Sequence, residues 1–506
     1  MQRTRLRKIR GNRATHLVNG YAQRVTRRSL FASTLLALAL VGDTAAAHAH
    51  GGTPYSLKIM RSPGSTTLYM PSYWWGVWVG STDVATNPSA PWHFICEEAI
   101  NTYRDRRFAL SNDGALYATS QAGVTVARQN GCAWIGSTAN TAGELATLAS
   151  TGIAVDPVDG TTAWVATGTN ATVTGTNRVP AHNGVFVTHD HGDHFARVPG
   201  IGGAAGDTSD PTYGRTYDSV VVAPSDGKTL YLSSTNYKGT FDVAVHKTTD
   251  AGVTFTTVPM PTLPGHGAVF SLQLMAVDPR DATVVYARAT MAAAEGTQLF
   301  LRGVFSSSGL VFTELASIAI PSPNHFDWSK GINDLSFDLK RDQLLVATGK
   351  GLLRGSAALT SQASDFAAGD DLSQTQCVFF DADNDRVFAC GGTYGPDFAA
   401  LACDSSTSPA LRSIFQFEQT VGPIDCPAGT QVAMLCPPIW ATYQSELNPG
   451  NPVVSDGGVP ADGGVLTTSG GGCSVSGKGA PGPWALIALA MLAAFAYRRT
   501  ASRRRG

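Results

Sequence analysis

Between Tyr55 and Cys436 the chain alternates short apolar runs with polar turns, and the alternation repeats. One unit is an extended apolar stretch, a turn of Asp, Pro or Gly, and a second apolar stretch. It reads IMRSPGSTTLYM (59–70), ALSNDGALYAT (109–119), AVDPVDGTTAWVA (154–166), VVAPSDGKTLYLS (221–233), AVDPRDATVVYAR (276–288), SFDLKRDQLLVA (336–347) and FFDADNDRVFAC (379–390). A second unit is a short strand that usually opens on Gly: GVWVGS (76), GVTVAR (123), GVFVTH (184), DVAVHK (242), FLRGVF (300), GLLRGS (351) and AALACD (399). The two interleave in a fixed order, and starts of the second are 47, 61, 58, 58, 51 and 48 residues apart. A hairpin followed by a third and fourth strand at each such interval predicts propeller blades. The expected fold is all-β: a seven-bladed β-propeller of four-stranded blades over 50–443, closed where CPPIWATY (436–443) meets the first strands.

Composition supports this and divides the chain. Gly is abundant (54), charged residues are few (15%), and the middle lacks long stretches of helical period. Residues 50–472 hold 22 basic and 37 acidic residues, a net charge of −15. A body that acidic repels polyphosphate, so nucleic acid is not an expected partner. Residues 1–49 carry Arg24, Arg27 and Arg28 ahead of LFASTLLALALVG, then small residues ending Ala-x-Ala. That order is a secretory signal peptide, and TRRSLF approaches a twin-arginine export signal. Residues 444–472, rich in Gly, Pro and Asp, form a flexible linker by composition. Residues 473–506 comprise Cys473, a polar stretch, the short apolar helix PWALIALAMLAAFAY and a cluster of five arginines. This tail resembles the myxobacterial C-terminal sorting signal, MYXO-CTERM. The resemblance implies Cys473 as the processing or lipid-attachment site; a simple tail anchor is the alternative. Both readings put the propeller outside the cytoplasm, at the cell surface or outer membrane, with the tail in the membrane.

Export permits disulfides. Cys377 and Cys390 are symmetric about one turn, Cys390 and Cys403 about the next, so only one of those pairs can form. Cys426 and Cys436 flank a short turn and are expected to staple the ring closure, leaving Cys96–Cys132 as a further pairing.

After the third strand of several blades stands Ser/Thr-x-Asp-x-Gly-x-Thr-Trp/Phe. Residues 248–255 (TTDAGVTF) fit throughout, and 188–195 (THDHGDHF) fit except for His194. These copies resemble the BNR/Asp-box propellers, which include sialidases and sortilin-like domains. Asp190, Gly192 and Phe195, and Asp250, Gly252, Thr254 and Phe255, are then structural: Asp tightens the turn, Gly takes positive φ, the ring packs between sheets.

Several patterns suggest chemistry. His189-x-His191-x-Asp193-His194 matches the metallo-β-lactamase HxHxDH metal motif, with His266, Asp278 and His325 as further ligands. The same residues fall in register with the third Asp box, which makes them turn residues. Asp381-Ala-Asp383-Asn-Asp385 resembles the start of a calcium loop but lacks its Gly and Glu and coincides with the seventh hairpin turn. Tyr73, Trp74, Trp75 and Trp78 suggest a carbohydrate platform, and His48 and His50 a metal-binding N-terminus. A sialidase needs an arginine triad and a Tyr–Glu pair that the sequence does not display, and other glycosidases need two placed carboxylates. The expectation is a non-enzymatic, surface-tethered binding or scaffolding module, monomeric, without a cofactor, taking a protein or glycan ligand. A sialidase-like glycoside hydrolase, or a metallo-β-lactamase-like hydrolase, is the alternative.

Overall fold

The computed structural model describes residues 57–447, except for short internal segments, the longest at 203–214, 321–330 and 392–399. The signal peptide, most of the linker and the Cys473 tail lie outside the described residues. No helix among the described residues is long and apolar enough to cross a membrane.

The chain is a β-propeller. Six four-stranded sheets are antiparallel meanders, taken here as sheets 2 to 7. They begin at Phe108–Leu110, Ser150–Val155, Arg215–Val222, Val269–Asp278, Ile332–Asp338 and Thr375–Asp381. Sheet 3 carries an inserted hairpin, Thr172–Thr174 with Asn177–Val179, between its second and third strands. Sheet 1 is built differently, so the expectation of seven like blades is corrected. Its innermost segment, 57–61, joins the next strand through the Met60–Tyr69 bridge and the Leu57 N–H bond to Pro71. Outside its strands Thr67–Ser72, Gly76–Ser81 and Trp92–Ile95 it takes a strand from the far end of the chain, Thr420–Pro423, in parallel.

The alternation of the sequence fails in the second strand of each sheet, and for a physical reason. Ala163–Thr167 and Leu230–Asn236 are buried along almost their whole length because both faces meet a neighbouring sheet. The first strands are partly exposed toward the ring centre. Core clusters therefore lie between sheets, as where Tyr286, Phe300 and Leu344 pack across sheets 5 and 6.

The first strands fan apart and cannot pair as a ladder, so side chains bridge the seams. Ser62 donates to the Ser111 carbonyl (2.8 Å) between sheets 1 and 2, and Asn112 to Pro157 between 2 and 3. Thr151 donates to Tyr217 between 3 and 4, and the Leu274 N–H donates to Ser219 Oγ (2.8 Å) between 4 and 5. Arg288 donates to Ile332 between 5 and 6; between 6 and 7, Asn333 Nδ2 donates to the Thr375 carbonyl (2.9 Å). Arg61 closes the circle onto Asp381 and Asp383 of sheet 7. Backbone groups that no ladder satisfies are thereby bonded, as buried groups must be.

The ring is also tied covalently. The disulfides are Cys96–Cys436, Cys132–Cys426 and Cys377–Cys390. The expected Cys426–Cys436 and Cys96–Cys132 pairs do not form; each of those cysteines crosses instead between the first two sheets and the C-terminal segment. Between the open alternatives, Cys377 pairs with Cys390 opposite it in the hairpin. The closing segment 436–443 does pack against sheet 1, as expected. It lies in a helix, Gln431–Leu447, that runs through Pro437 and Pro438. Val432, Cys436, Trp440 and Tyr443 are buried in the core of sheet 1, a stripe at helical spacing. The paired prolines and the Cys flanking hid that period in the sequence.

Two bridges span the same closure, so the second constrains a loop the first has already shortened. Replacing Cys96 and Cys436 by Ser is expected to cost about 2–4 kcal/mol, read by denaturant unfolding. Removing both closing bridges should cost less than the sum of removing either from an otherwise bridge-free chain. Strict additivity would mean that the two do not share one loop.

Candidate functional site

The first segments of all seven sheets surround a central channel with a cavity of about 530 Å³. Its wall is largely aliphatic, from Ile59, Ile153, Val220, Leu274 and Phe337 among others. Its charged lining among the described residues is Lys58, Arg61, Arg107, Arg288 and Asp334. Arg61 belongs to the seam with Asp381 and Asp383. The rest gather where the first strands begin. Arg288 reaches inward from the second strand of sheet 5 and donates to Gln273 Oε1 and to the Ile332 carbonyl. Both of these acceptors are neutral. Desolvation, then the like charge of Arg107, hold its pKa below the usual guanidinium range, and it stays protonated at neutral pH. Desolvation raises the pKa of Asp334, against the opposing pull of Lys58. Asp334 Oδ2 also accepts the Val378 N–H (3.2 Å).

The HxHxDH residues lie on an outer turn of sheet 3, and their side chains go to separate partners. His189 Nδ1 lies 3.0 Å from the Thr162 hydroxyl, and His191 Nε2 pairs with Asp113 of sheet 2. Asp193 accepts from Arg128 (2.7 Å), and His194 Nδ1 lies 2.6 Å from Asp190. His266 is paired with Glu314 (2.8 Å) in sheet 5. Among the described residues no three His, Cys, Asp or Glu side chains are grouped as metal ligands. Asp278 is fully buried in its hairpin turn, accepting from Arg280 (3.0 Å) and from the Tyr286 hydroxyl (3.2 Å). His325, His48 and His50 lie outside the described residues.

The two turns picked from the sequence share one construction. Thr188 Oγ1 accepts the Gly192 N–H (2.8 Å), and Thr248 Oγ1 accepts the Gly252 N–H (3.1 Å). Asp190 accepts from the Thr188 hydroxyl (2.7 Å) and the His194 N–H (2.9 Å); Asp250 repeats this with Thr248 and Thr254. Against desolvation, those bonds bring Asp190 down to about 2. Bonds from the Thr248 and Thr254 hydroxyls bring Asp250 to about 2 as well. Gly192 and Gly252 adopt φ of +82° and +89°, and Phe195 and Phe255 pack inward. His194 thus stands in for the Thr254 hydroxyl with its ring nitrogen. Asp381, in the calcium-like run, accepts from Arg61, from the Asp383 N–H (3.2 Å) and from Asn384 Nδ2 (2.8 Å). Trp78 is fully buried and offers no sugar platform; Tyr73, Trp74 and Trp75 lie outside the described residues.

The channel charges were not picked from the sequence. Lys58 and Arg107 precede the apolar stretches of their units, and Arg288 ends a second one, so only the ring brings them together. Asp218 was also missed. It lies at a bulge between Tyr217 and Ser219, accepts from the Thr216 and Thr235 hydroxyls (2.9 and 2.5 Å), and desolvation pushes it up to about 6.

No family model and no curated protein matches the sequence. Solved structures do. A GH74 enzyme of Niastella koreensis is similar with a TM-score of 0.46 and 16% identity, covering 72% of this chain and 55% of that one. The GH74 xyloglucanase from Xanthomonas campestris gives 0.38 and 15%, covering 71% and 59%. The Dos1 propeller gives 0.41 and 9%, covering 68% and 91%. The chain spans less than two thirds of the length of either GH74 enzyme. Likeness of this degree speaks to neither substrate nor reaction.

Two outcomes are expected from the turns and from Asp218. A Cβ on Gly192 would lie 2.6 Å from Val126 Cγ2, whereas one on Gly252 would meet Val198 at 3.2 Å. Valine at either position forces positive φ on a β-branched residue and should cost about 1–3 kcal/mol, with Gly192→Val the worse in thermal melts. Equal losses would show that the contact with Val126 yields freely. For Asp218, the folded chain holds its proton more tightly than the unfolded chain does. That contribution is fully present below about pH 4 and is lost as pH rises through about 6. Asp218→Asn should therefore stabilise by about 1–3 kcal/mol at pH 8 and far less at pH 4. A pH-independent effect in chemical unfolding would remove the assignment.

Proposed function

We propose that this protein is an exported, cell-surface-tethered β-propeller that binds a ligand at the mouth of its central channel without chemical turnover. One observation carries the reading: among the described residues lining the channel, Asp334 is the sole carboxylate. Glycoside hydrolysis by acid and base or nucleophile calls for two, spaced about 5–10 Å apart. A wall of backbone, aliphatic and cationic groups suits recognition better than proton transfer. The shared turns at 188–195 and 248–255 support an Asp-box propeller, in which the boxes brace blades and take no part in binding. The remaining parts of the reading rest on sequence. Residues 1–49 direct export, 444–472 serve as tether, and Cys473 with the apolar stretch and arginines forms a MYXO-CTERM-type sorting tail in the membrane. The partner is a protein or glycan, and the propeller acts as a monomer.

The full chain, expressed with its signals in a host that processes them, provides the test. Intact cells should expose the propeller to external protease, and the purified protein should retain a glycan or surface protein while releasing no sugar from it. Reducing-end release from a polysaccharide, abolished by Asp334→Asn, would replace the binding reading with the hydrolase one.

A further inference from the structure

The helix that closes the ring is apolar on both sides. Val432, Cys436, Trp440 and Tyr443 turn into the core of sheet 1. On the opposite side Met434, Pro438 and Ala441 stand at i, i+4 and i+7, with Leu435 and Pro437 beside them, and all five are exposed. Met434 is 58% and Leu435 38% exposed. A surface helix of a globular protein carries charged and polar side chains on its outer face. This one carries no charge there, since no Asp, Glu, Lys, Arg or His occurs between Cys426 and Ser445. The other large apolar side chains exposed among the described residues stand one to a sheet, which is ordinary. On the helix two of them are neighbours within a continuous apolar stripe.

We propose that this stripe, at Met434, Leu435, Pro438 and Ala441, lies against the lipid surface that holds the C-terminal tail. The inference rests on the tethered reading above and deepens it, because a tether alone leaves the orientation of the propeller open. Chain order selects the occupant. The helix ends at Leu447, and 25 residues, 448–472, separate it from Cys473, so along the chain it is the part of the propeller nearest to the membrane. Attachment at so short a distance raises the local concentration of lipid at the face, and a stripe too small to hold a free protein on a bilayer then suffices. Charge selects against the alternatives. Residues 50–472 carry a net charge of −15, which opposes a second copy and an anionic surface alike. An uncharged stripe suits zwitterionic lipid, where apolar side chains settle at the boundary of headgroups and acyl chains. The helix has 17 residues and turns one stripe into the propeller, so it lies along the bilayer instead of crossing it.

The test uses the full chain, expressed with its signals in a host that processes them and reconstituted in phosphatidylcholine vesicles. Flotation of the vesicles establishes attachment. Mass spectrometry then reads the initial rate at which peroxide oxidises Met434 to its sulfoxide, relative to Met260 in sheet 4. Met434 of the wild type should oxidise several-fold more slowly than in Leu435→Asp or Ala441→Asp, at the same rate however dilute the protein is in the lipid. Each variant puts a charge on the stripe at an exposed position and should float and melt like the wild type, and either one suffices if the other melts differently. Equal rates in floating wild type and variants would overturn the inference and leave the tether standing. Protection that fades as the protein is diluted in the same lipid would assign the stripe to a second copy and overturn the lipid assignment. A chain that does not float with the vesicles would remove the tethered reading and this inference with it.

Discussion

A ring of sheets stands or falls on its seams. Within each sheet the ladder satisfies the backbone, but the first strands diverge around the channel and cannot pair with one another. The sequence meets this with polar side chains, six at or near the first strands and one, Arg288, on a second strand: Ser62, Asn112, Thr151, Ser219, Arg288, Asn333 and Arg61 each bridge one of the seven seams. Where the bond is buried, as at Ser62 and Ser219, it spares a polar group from desolvation without a partner, a cost of about 1–3 kcal/mol. Between those bonds apolar side chains interlock, as in the cluster where sheets 4 and 5 meet. The last seam differs because the chain's two ends must find each other there. The irregular inner segment at 57–61 lies there with Arg61, while the parallel strand Thr420–Pro423, the terminal helix and two disulfides tie the C-terminal segment to sheets 1 and 2.

The same demand explains the ion pairs on the turn side of the ring. Arg280 joins Asp278 of its own turn to Asp342 of the next sheet, and Arg341 joins Asp338 to Asp385. The hydrogen bond with Asp278 raises the pKa of Arg280 and that with Asp385 raises Arg341, as expected of arginines shared between carboxylates. These pairs draw the turns of neighbouring sheets together where the ladders have ended. Repeated turn Asp residues therefore serve the frame, and the calcium-like run around Asp381 is the last link of that chain.

Repetition made the frame legible. The hairpin pattern and its Asp/Pro/Gly turns placed the inner two strands of every regular sheet, because period-2 apolar runs and turn residues act locally. What depends on distant segments was hidden. The pairing of Cys96 with Cys436 and of Cys132 with Cys426 joins parts of the chain that only the closed ring brings together, whereas Cys377 and Cys390 oppose each other in one hairpin and were already among the alternatives. The terminal helix was hidden for a local reason: Pro437 and Pro438 read as breakers, though the stripe Val432, Cys436, Trp440 and Tyr443 was present. The HxHxDH run shows the converse error of reading chemistry from spacing alone. In a turn whose Asp and Thr oxygens already bind its own backbone, histidines at alternate positions point to different neighbours instead of converging.

The charged wall of the channel belongs to neither class. Its charges come from four sheets, at positions that are unremarkable within each repeat, and no local rule marks them. Regular repeats would place equivalent residues at equivalent points around the ring, and an all-equivalent ring has no preferred side. Asymmetry is what gives such a ring a preferred side. Here it arises because sheets 1, 2 and 5 put cations at the mouth, sheet 6 puts a carboxylate, and sheets 3 and 4 put the small hydroxyls of Thr151 and Ser219. Those hydroxyls are committed to seams, and so is much of Arg288. The groups that hold the ring shut thus also fix the geometry of its centre.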